Sequence, residues 1–137
     1  MPRRHFWKKG EGEFVGFAIG LVTMMSVFFI MVGCLMLHRN VQAMEDATQI
    51  ICRDLVVCES KKEAQKLATE EAKKYFKSYK SISHAVATVT YSANSEAAWK
   101  KGNFIVLTIG ADIKTIDPFT SGRRSTSVEM MIERDGD

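Results

Sequence analysis

The stretch FVGFAIGLVTMMSVFFIMVGCLML, residues 14–37, runs for 24 residues without a charged side chain. As a helix rising 1.5 Å per residue it reaches about 36 Å, enough to cross a hydrocarbon core of ~30 Å with some tilt. Its polar side chains are Thr23, Ser26 and Cys34, which a helix in lipid accommodates. The whole chain has 137 residues, and the remainder is too small to wrap a helix that is apolar all round. Residues 14–37 therefore read as a transmembrane helix. A secretory signal has a core of roughly 7–15 residues followed by a small-x-small site; this run is longer and no such site follows. Gly33-Cys34 approaches a lipoprotein processing box, but Leu35, Met36 and Leu37 stay apolar after it. Cys34 is read as a small packing residue of the span.

Charge sets the expected orientation. Arg3, Arg4, Lys8 and Lys9 precede the span, partly offset by Glu11 and Glu13, whereas Arg39, Glu45 and Asp46 follow it. The basic excess on the N-terminal side predicts a cytoplasmic leader, residues 1–13, and an extracytoplasmic segment, residues 38–137, in the cell membrane. Phe6 and Trp7 fit an interfacial anchor at one end, and His38 beside Arg39 fits one at the other. The net charge is +3, and outside the leader the bases alternate with acids, which excludes a nucleic-acid footprint.

The helix is expected to continue past the span. Val41, Met44, Thr48, Ile51, Leu55 and Cys58 recur at steps of three and four, which places them on one helical face. Gln42, Glu45, Asp46, Gln49 and Arg53 form the polar back. One helix from near Glu13 to about Val57 follows, and its outer stripe must be buried by the domain that comes next. Ser60-Lys61-Lys62-Glu63 has the form of a capping box. It opens a second helix whose apolar face (Ala64, Leu67, Ala68, Ala72, Tyr75, Phe76, Tyr79) runs to about Tyr79. After Lys80 the period drops to two. Ala85, Ala87, Val89 and Tyr91 mark one strand, Ile105 to Ile113 a second, and Thr126 to Arg134 a third. The prediction is a two-layer α+β domain: a long transmembrane-plus-stem helix, a second helix, and a three-stranded antiparallel sheet.

Chemistry-bearing patterns are sparse. Cys52 and Cys58 lie six apart, about 9 Å along an unbroken helix, beyond the Cα separation of roughly 4.4–6.8 Å that a disulfide needs. Three outcomes stay open: a disulfide if the helix breaks before Cys58, two separate buried thiols, or an intermolecular or reactive role. His5, His38 and His84 have no cysteine or carboxylate at metal-ligand spacing. No nucleophile elbow, phosphate loop or dinucleotide glycine pattern occurs. No enzyme, cofactor, metal or small-molecule substrate is expected. Gly16 and Gly20 form a G-x-x-x-G pair in the span, with Gly33 a further small residue, a spacing that lets helices approach closely.

The order of these parts resembles a known family. A short basic leader ends in Lys9-Gly10-Glu11-Gly12-Glu13-Phe14, a Glu-Phe pair opens the apolar helix, and the last strand reads Val128-Glu129-Met130-Met131-Ile132-Glu133-Arg134. This is similar to TadE-like pilins and pseudopilins of tight-adherence (Flp-type) pili and related secretion systems, nearest to the pilin-like relatives of Gram-positive bacteria. The resemblance implies a bacterial structural subunit or accessory of a pilus, secretion or conjugation apparatus. Its partners would be membrane lipid, other pilin-like subunits or secretion-apparatus proteins, and a prepilin peptidase that cuts after a leader glycine, here Gly10 or Gly12. Glu13 would match the family glutamate that neutralises a neighbour's amine, and Glu13, Phe14, Gly16 and Gly20 would form the helix-assembly face. The family usually places its glutamate five residues after the cut; Gly10 to Glu13 is three, and a cut at Gly12 leaves Glu13 first. Glu13 also reads as a wet carboxylate capping the helix start. The alternative function is a single-pass membrane protein whose outer domain binds a partner or senses a signal and forms no filament.

Overall fold

The computed structural model describes residues 7–136, and the side chains of residue 10 and residues 12–136. Arg3, Arg4 and Phe6 lie outside the described residues, as do the side chains of Trp7, Lys8, Lys9 and Glu11; the charge-based orientation and the anchor rest on these groups. The chain is an α+β protein in the order α1 (Trp7–Leu55), α2 (Lys61–Phe76), β1 (Ile82–Tyr91), β2 (Phe104–Ile113), β3 (Gly122–Met131). The three strands form one antiparallel sheet in sequence order, β1-β2-β3.

α1 is unbroken over 49 residues. It starts at Trp7, well before the expected Glu13, so Gly10 and Gly12 both lie inside the helix. The apolar run supplies the nucleus, and extending a formed helix through a glycine costs only about 1 kcal/mol. The outer half follows the expected stripe: Met44, Thr48, Ile51 and Leu55 are buried and Val41 half-buried, while Gln42, Glu45, Asp46, Gln49 and Arg53 are exposed. Asn40, Ala47 and Cys52 join the buried side.

The chain turns at Val56–Ser60. The Ser60 hydroxyl accepts from the Glu63 N–H at 3.3 Å. The Glu63 carboxylate reaches back one residue further than in a standard capping box, accepting from the Glu59 N–H at 2.9 Å. α2 ends at Phe76, three residues short of the expected Tyr79. Tyr79 instead donates its N–H to the Phe76 carbonyl at 3.0 Å, and this tight turn feeds the chain into β1. Ala64, Ala68, Ala72 and Phe76 are the buried side of α2. Three alanines in a row along that face let the helix lie close to β1.

β2 is the central strand, and Ile105, Leu107, Ile109, Ala111 and Ile113 all face the helices. α2 lies over β1, and α1 lies over β3 and β2. β1 carries a bulge between Ser83 and Val86, where His84 adopts φ 50°. The extra residue flips the alternation, so Ile82 and Ala87 both face the core despite their opposite parity. β3 begins at Gly122, four residues before the expected Thr126. Arg123, Arg124 and Ser125 are exposed on both faces of this edge, so no apolar alternation marks that part of the strand. The other edge, β1, is covered by a side chain: Gln65 of α2 donates to the Ala87 carbonyl and accepts from the Val89 N–H, both at 2.8 Å. The amide thus takes the place of a neighbouring strand at Ala87–Val89 and blocks pairing at that point of the edge.

The core predicts where substitutions matter. Leu107→Ala should destabilise the domain by about 2–5 kcal/mol, and Val86→Ala, on the outer sheet face, by about 0.5 kcal/mol or less. Denaturant unfolding followed by Trp99 fluorescence in a Trp7→Phe background measures both.

Candidate functional site

The two halves of α1 have opposite surroundings. From Gly12 to Met31 the described side chains are exposed, Phe14 at 72 %. This part of the helix is long and apolar enough to cross a membrane, and none of its apolar window is buried by the rest of the chain. The Thr23 and Ser26 hydroxyls bond back to the Ile19 and Val22 carbonyls, both at 2.9 Å, so their polar groups are satisfied within the helix.

Contact with the domain begins at Gly33 and climbs the helix in steps. At Gly33 the β2–β3 loop lies directly on the helix. An added Cβ would overlap the Asp117 carboxylate and come within 2.7 Å of the Thr120 hydroxyl. Two turns on, Asn40 is buried and its side-chain oxygen accepts from the Ser81 hydroxyl at 2.8 Å. Two turns further, the Thr48 hydroxyl sits 2.8 Å from that of Thr126 on β3 and 2.6 Å from the Met44 carbonyl. At the far end the Glu133 N–H donates to the Val56 carbonyl at 3.1 Å, and Trp99 donates its indole N–H to the Cys58 carbonyl at 2.8 Å. Arg134 pairs with Glu59 at 2.9 Å there. These contacts order the domain along α1. The α2–β1 turn and the β2–β3 loop lie at the end nearest the apolar half; the Val56–Ser60 turn and the β1–β2 loop lie at the far end.

The β2–β3 loop is rigidly built. The Asp117 carboxylate accepts from the N–H groups of Phe119 (2.8 Å) and Thr120 (2.9 Å) and from the Thr120 hydroxyl (2.6 Å). These bonds, the Thr120 hydroxyl first, hold its carboxyl below the usual carboxylate range. The Thr115 and Thr120 hydroxyls lie 2.6 Å apart, and Ser121 donates to the Asp117 carbonyl at 2.8 Å.

The residues singled out from sequence fall into three groups. Gly10, Gly12, Gly16 and Gly20 have open space where a Cβ would stand, and Glu13 and Phe14 are exposed beside them. At 100° per residue Glu13, Gly16, Gly20 and Thr23 fall within about 80° of one another, roughly 120° around the helix from Gly33. They share a face that the domain does not shadow. Phe14, expected on the same face, falls about 100° from Glu13 and off it, because consecutive helical residues diverge by that angle. Cys34 is exposed on that half of the helix, not packed. Cys52 and Cys58 are buried and free, which corrects the disulfide alternative. The helix does break before Cys58, as a bond required, yet Cys52 points into the core and the Cys58 thiol turns to the Asp54 carbonyl at 3.7 Å. Gly33 was legible only as one more small residue of the span; its partner, Asp117, lies 84 positions away.

Compared with known proteins, the chain matches no family model, no curated protein and no solved structure. Its functional reading rests on its own residues.

Gly33→Ala should destabilise the seating of the domain by about 1–3 kcal/mol, the range for overpacking a tight site, and adding Asp117→Ala should return part of that loss. A double-mutant cycle on denaturant midpoints measures the coupling. Burial pushes the Cys52 thiol up from 9.0 to about 11. The folded chain keeps this proton where the unfolded chain has lost it, so stability is full below pH 9 and declines between 9 and about 11. Cys52→Ala should flatten that alkaline decline while lowering stability at neutral pH.

Proposed function

We propose that this chain is a single-pass membrane protein whose apolar half-helix is an assembly element, in the manner of a TadE-like pilin or pseudopilin. It would be a structural subunit or accessory of a pilus, secretion or conjugation apparatus. The observation that carries the reading is the continuity of α1 across its two halves. One half is bare and apolar; the other is built into the core of a folded head. A tether needs neither a buried stem stripe nor a rigid joint. A lever that fixes a head relative to neighbouring spans needs both.

The face bearing Glu13, Gly16, Gly20 and Thr23 supports lateral contact. Two glycines let a neighbouring helix approach closely. A carboxylate at the margin of the hydrocarbon is costly when ionised and unpaired, so Glu13 favours a neighbour that offers a cation there. The leader charge supports an N-in orientation, which puts the head outside the cytoplasm. The non-filamentous alternative keeps the same anchor and head but uses no helix-to-helix contact.

Cysteine crosslinking in cell membranes separates the two. In a Cys34→Ser background, Thr23→Cys lies on the proposed face and Val22→Cys on roughly the opposite one. Assembly predicts a disulfide-linked dimer, the largest product that one accessible thiol per chain can form, from Thr23→Cys and none from Val22→Cys. Monomer alone at both positions would favour the non-filamentous reading.

A further inference from the structure

The end of the head nearest the apolar half-helix has a composition unlike the rest of its surface. Phe119 is 82 % exposed, more than any large apolar side chain of the apolar run, and Ile116 is 53 % exposed. Pro118 is exposed between them. All three stand on the β2–β3 loop, whose hydrogen bonds (Asp117 to Phe119 and Thr120, Thr115 to Thr120) hold them outward. A rigid loop that displays a proline, an isoleucine and a phenylalanine to solvent is unfavourable unless something apolar covers it.

The position of the loop along α1 says what covers it. Counting from Phe14, the first residue after the last charge of the leader, Gly33 is the twentieth, about 30 Å along the helix. That matches the thickness of a hydrocarbon core. The Asp117–Thr120 segment rests on Gly33, so Ile116, Pro118 and Phe119 sit at the level where the outer leaflet begins. The charged groups agree. Arg39, Lys77, Lys80 and Lys114 are exposed at this end. Two of the acids there are engaged, Asp117 by its own loop and Asp112 by Arg123 at 3.5 Å and His84 at 3.3 Å, while Asp46 stands exposed on the Tyr75 side of α1. A groove of about 490 Å³ between α1 and the α2–β1 turn is lined by Met36, Arg39, Tyr79 and Lys80, with the Asn40–Ser81 bond beside them. Apolar prongs flanked by bases and a tyrosine are the chemistry of a lipid interface.

From this we infer that the β2–β3 loop is a second membrane contact. Ile116, Pro118 and Phe119 enter the outer leaflet of the bilayer that α1 spans, and Arg39, Lys80 and Lys114 bind phosphates of anionic lipid. The head then rests on the membrane at a fixed tilt. This rests on the reading of α1 as a membrane span.

The test uses the full chain in vesicles of phosphatidylcholine with phosphatidylglycerol. Cysteines introduced one at a time into a Cys34→Ser background, in which Cys52 and Cys58 are buried, carry a nitroxide at Ile116→Cys, Phe119→Cys, Val22→Cys (apolar half-helix) or Ala93→Cys (far loop). Collision with oxygen reports lipid, and collision with a water-soluble nickel chelate reports water. The expected result is a lipid signature at 22, 116 and 119, with an oxygen-to-nickel ratio severalfold above that at 93. Immersion at 119 should deepen with more phosphatidylglycerol, and a Lys80→Glu/Lys114→Glu variant should lose that dependence. Lipid at 22 with water at 116 and 119 would overturn the inference and leave the span intact. Water at 22 would overturn the span and the inference with it. Immersion that ignores lipid charge would overturn the anionic-lipid contact.

Discussion

The stripe on the outer half of α1 is the constraint from which the rest follows. A helix that leaves an apolar stretch with Met44, Ile51 and Leu55 on one face cannot stand alone in water. Burying each such side chain is worth about 1.5–3 kcal/mol, and the sheet that does it must lie alongside the helix. Because the helix is unbroken from Trp7 to Leu55, the domain that buries the stripe is fixed in height and rotation relative to the apolar half. Asn40–Ser81 and Thr48–Thr126 are polar bonds in buried or part-buried surroundings. Such bonds add less to stability than to register, because sliding the helix would leave them unpaired.

From that register comes the asymmetry of the head. Its far end is closed by backbone and indole bonds around Trp99, Glu133 and Val56. Its near end is left with bare apolar and basic side chains on a loop that touches Gly33. The same burial that stabilises the domain therefore decides which surface faces along the helix toward its apolar half.

Much of the fold was legible because periodicity reports burial. The stem stripe, the polar back of α1, the Ser60 cap and the β2 face each place one-sided burial in the sequence at a period of 3.6 or 2. What escaped lacks that signal. The start of β3 is exposed on both sides, so Arg123 and Arg124 carry no alternation. The bulge at His84 shifts parity by one residue, which hides Ile82 from a strict period of two. Gln65 looks like any surface glutamine until the edge of β1 lies beside it. At the candidate site, the Glu13–Gly16–Gly20 face was visible as spacing along one helix. The Gly33–Asp117 contact was not, because it joins residues 84 apart and one of them has no side chain. The free state of Cys52 and Cys58 depends on where each thiol points, which spacing alone left open.

The central claim is that span and head are one rigid body joined by a continuous helix. Pulsed electron resonance between nitroxides at Leu21→Cys and Glu129→Cys, in a Cys34→Ser chain in vesicles diluted to isolated copies, tests it directly. A rigid joint gives one narrow distance distribution, unchanged between detergent and bilayer. A broad or multi-peaked distribution would show a hinge between the two halves of α1 and contradict the account.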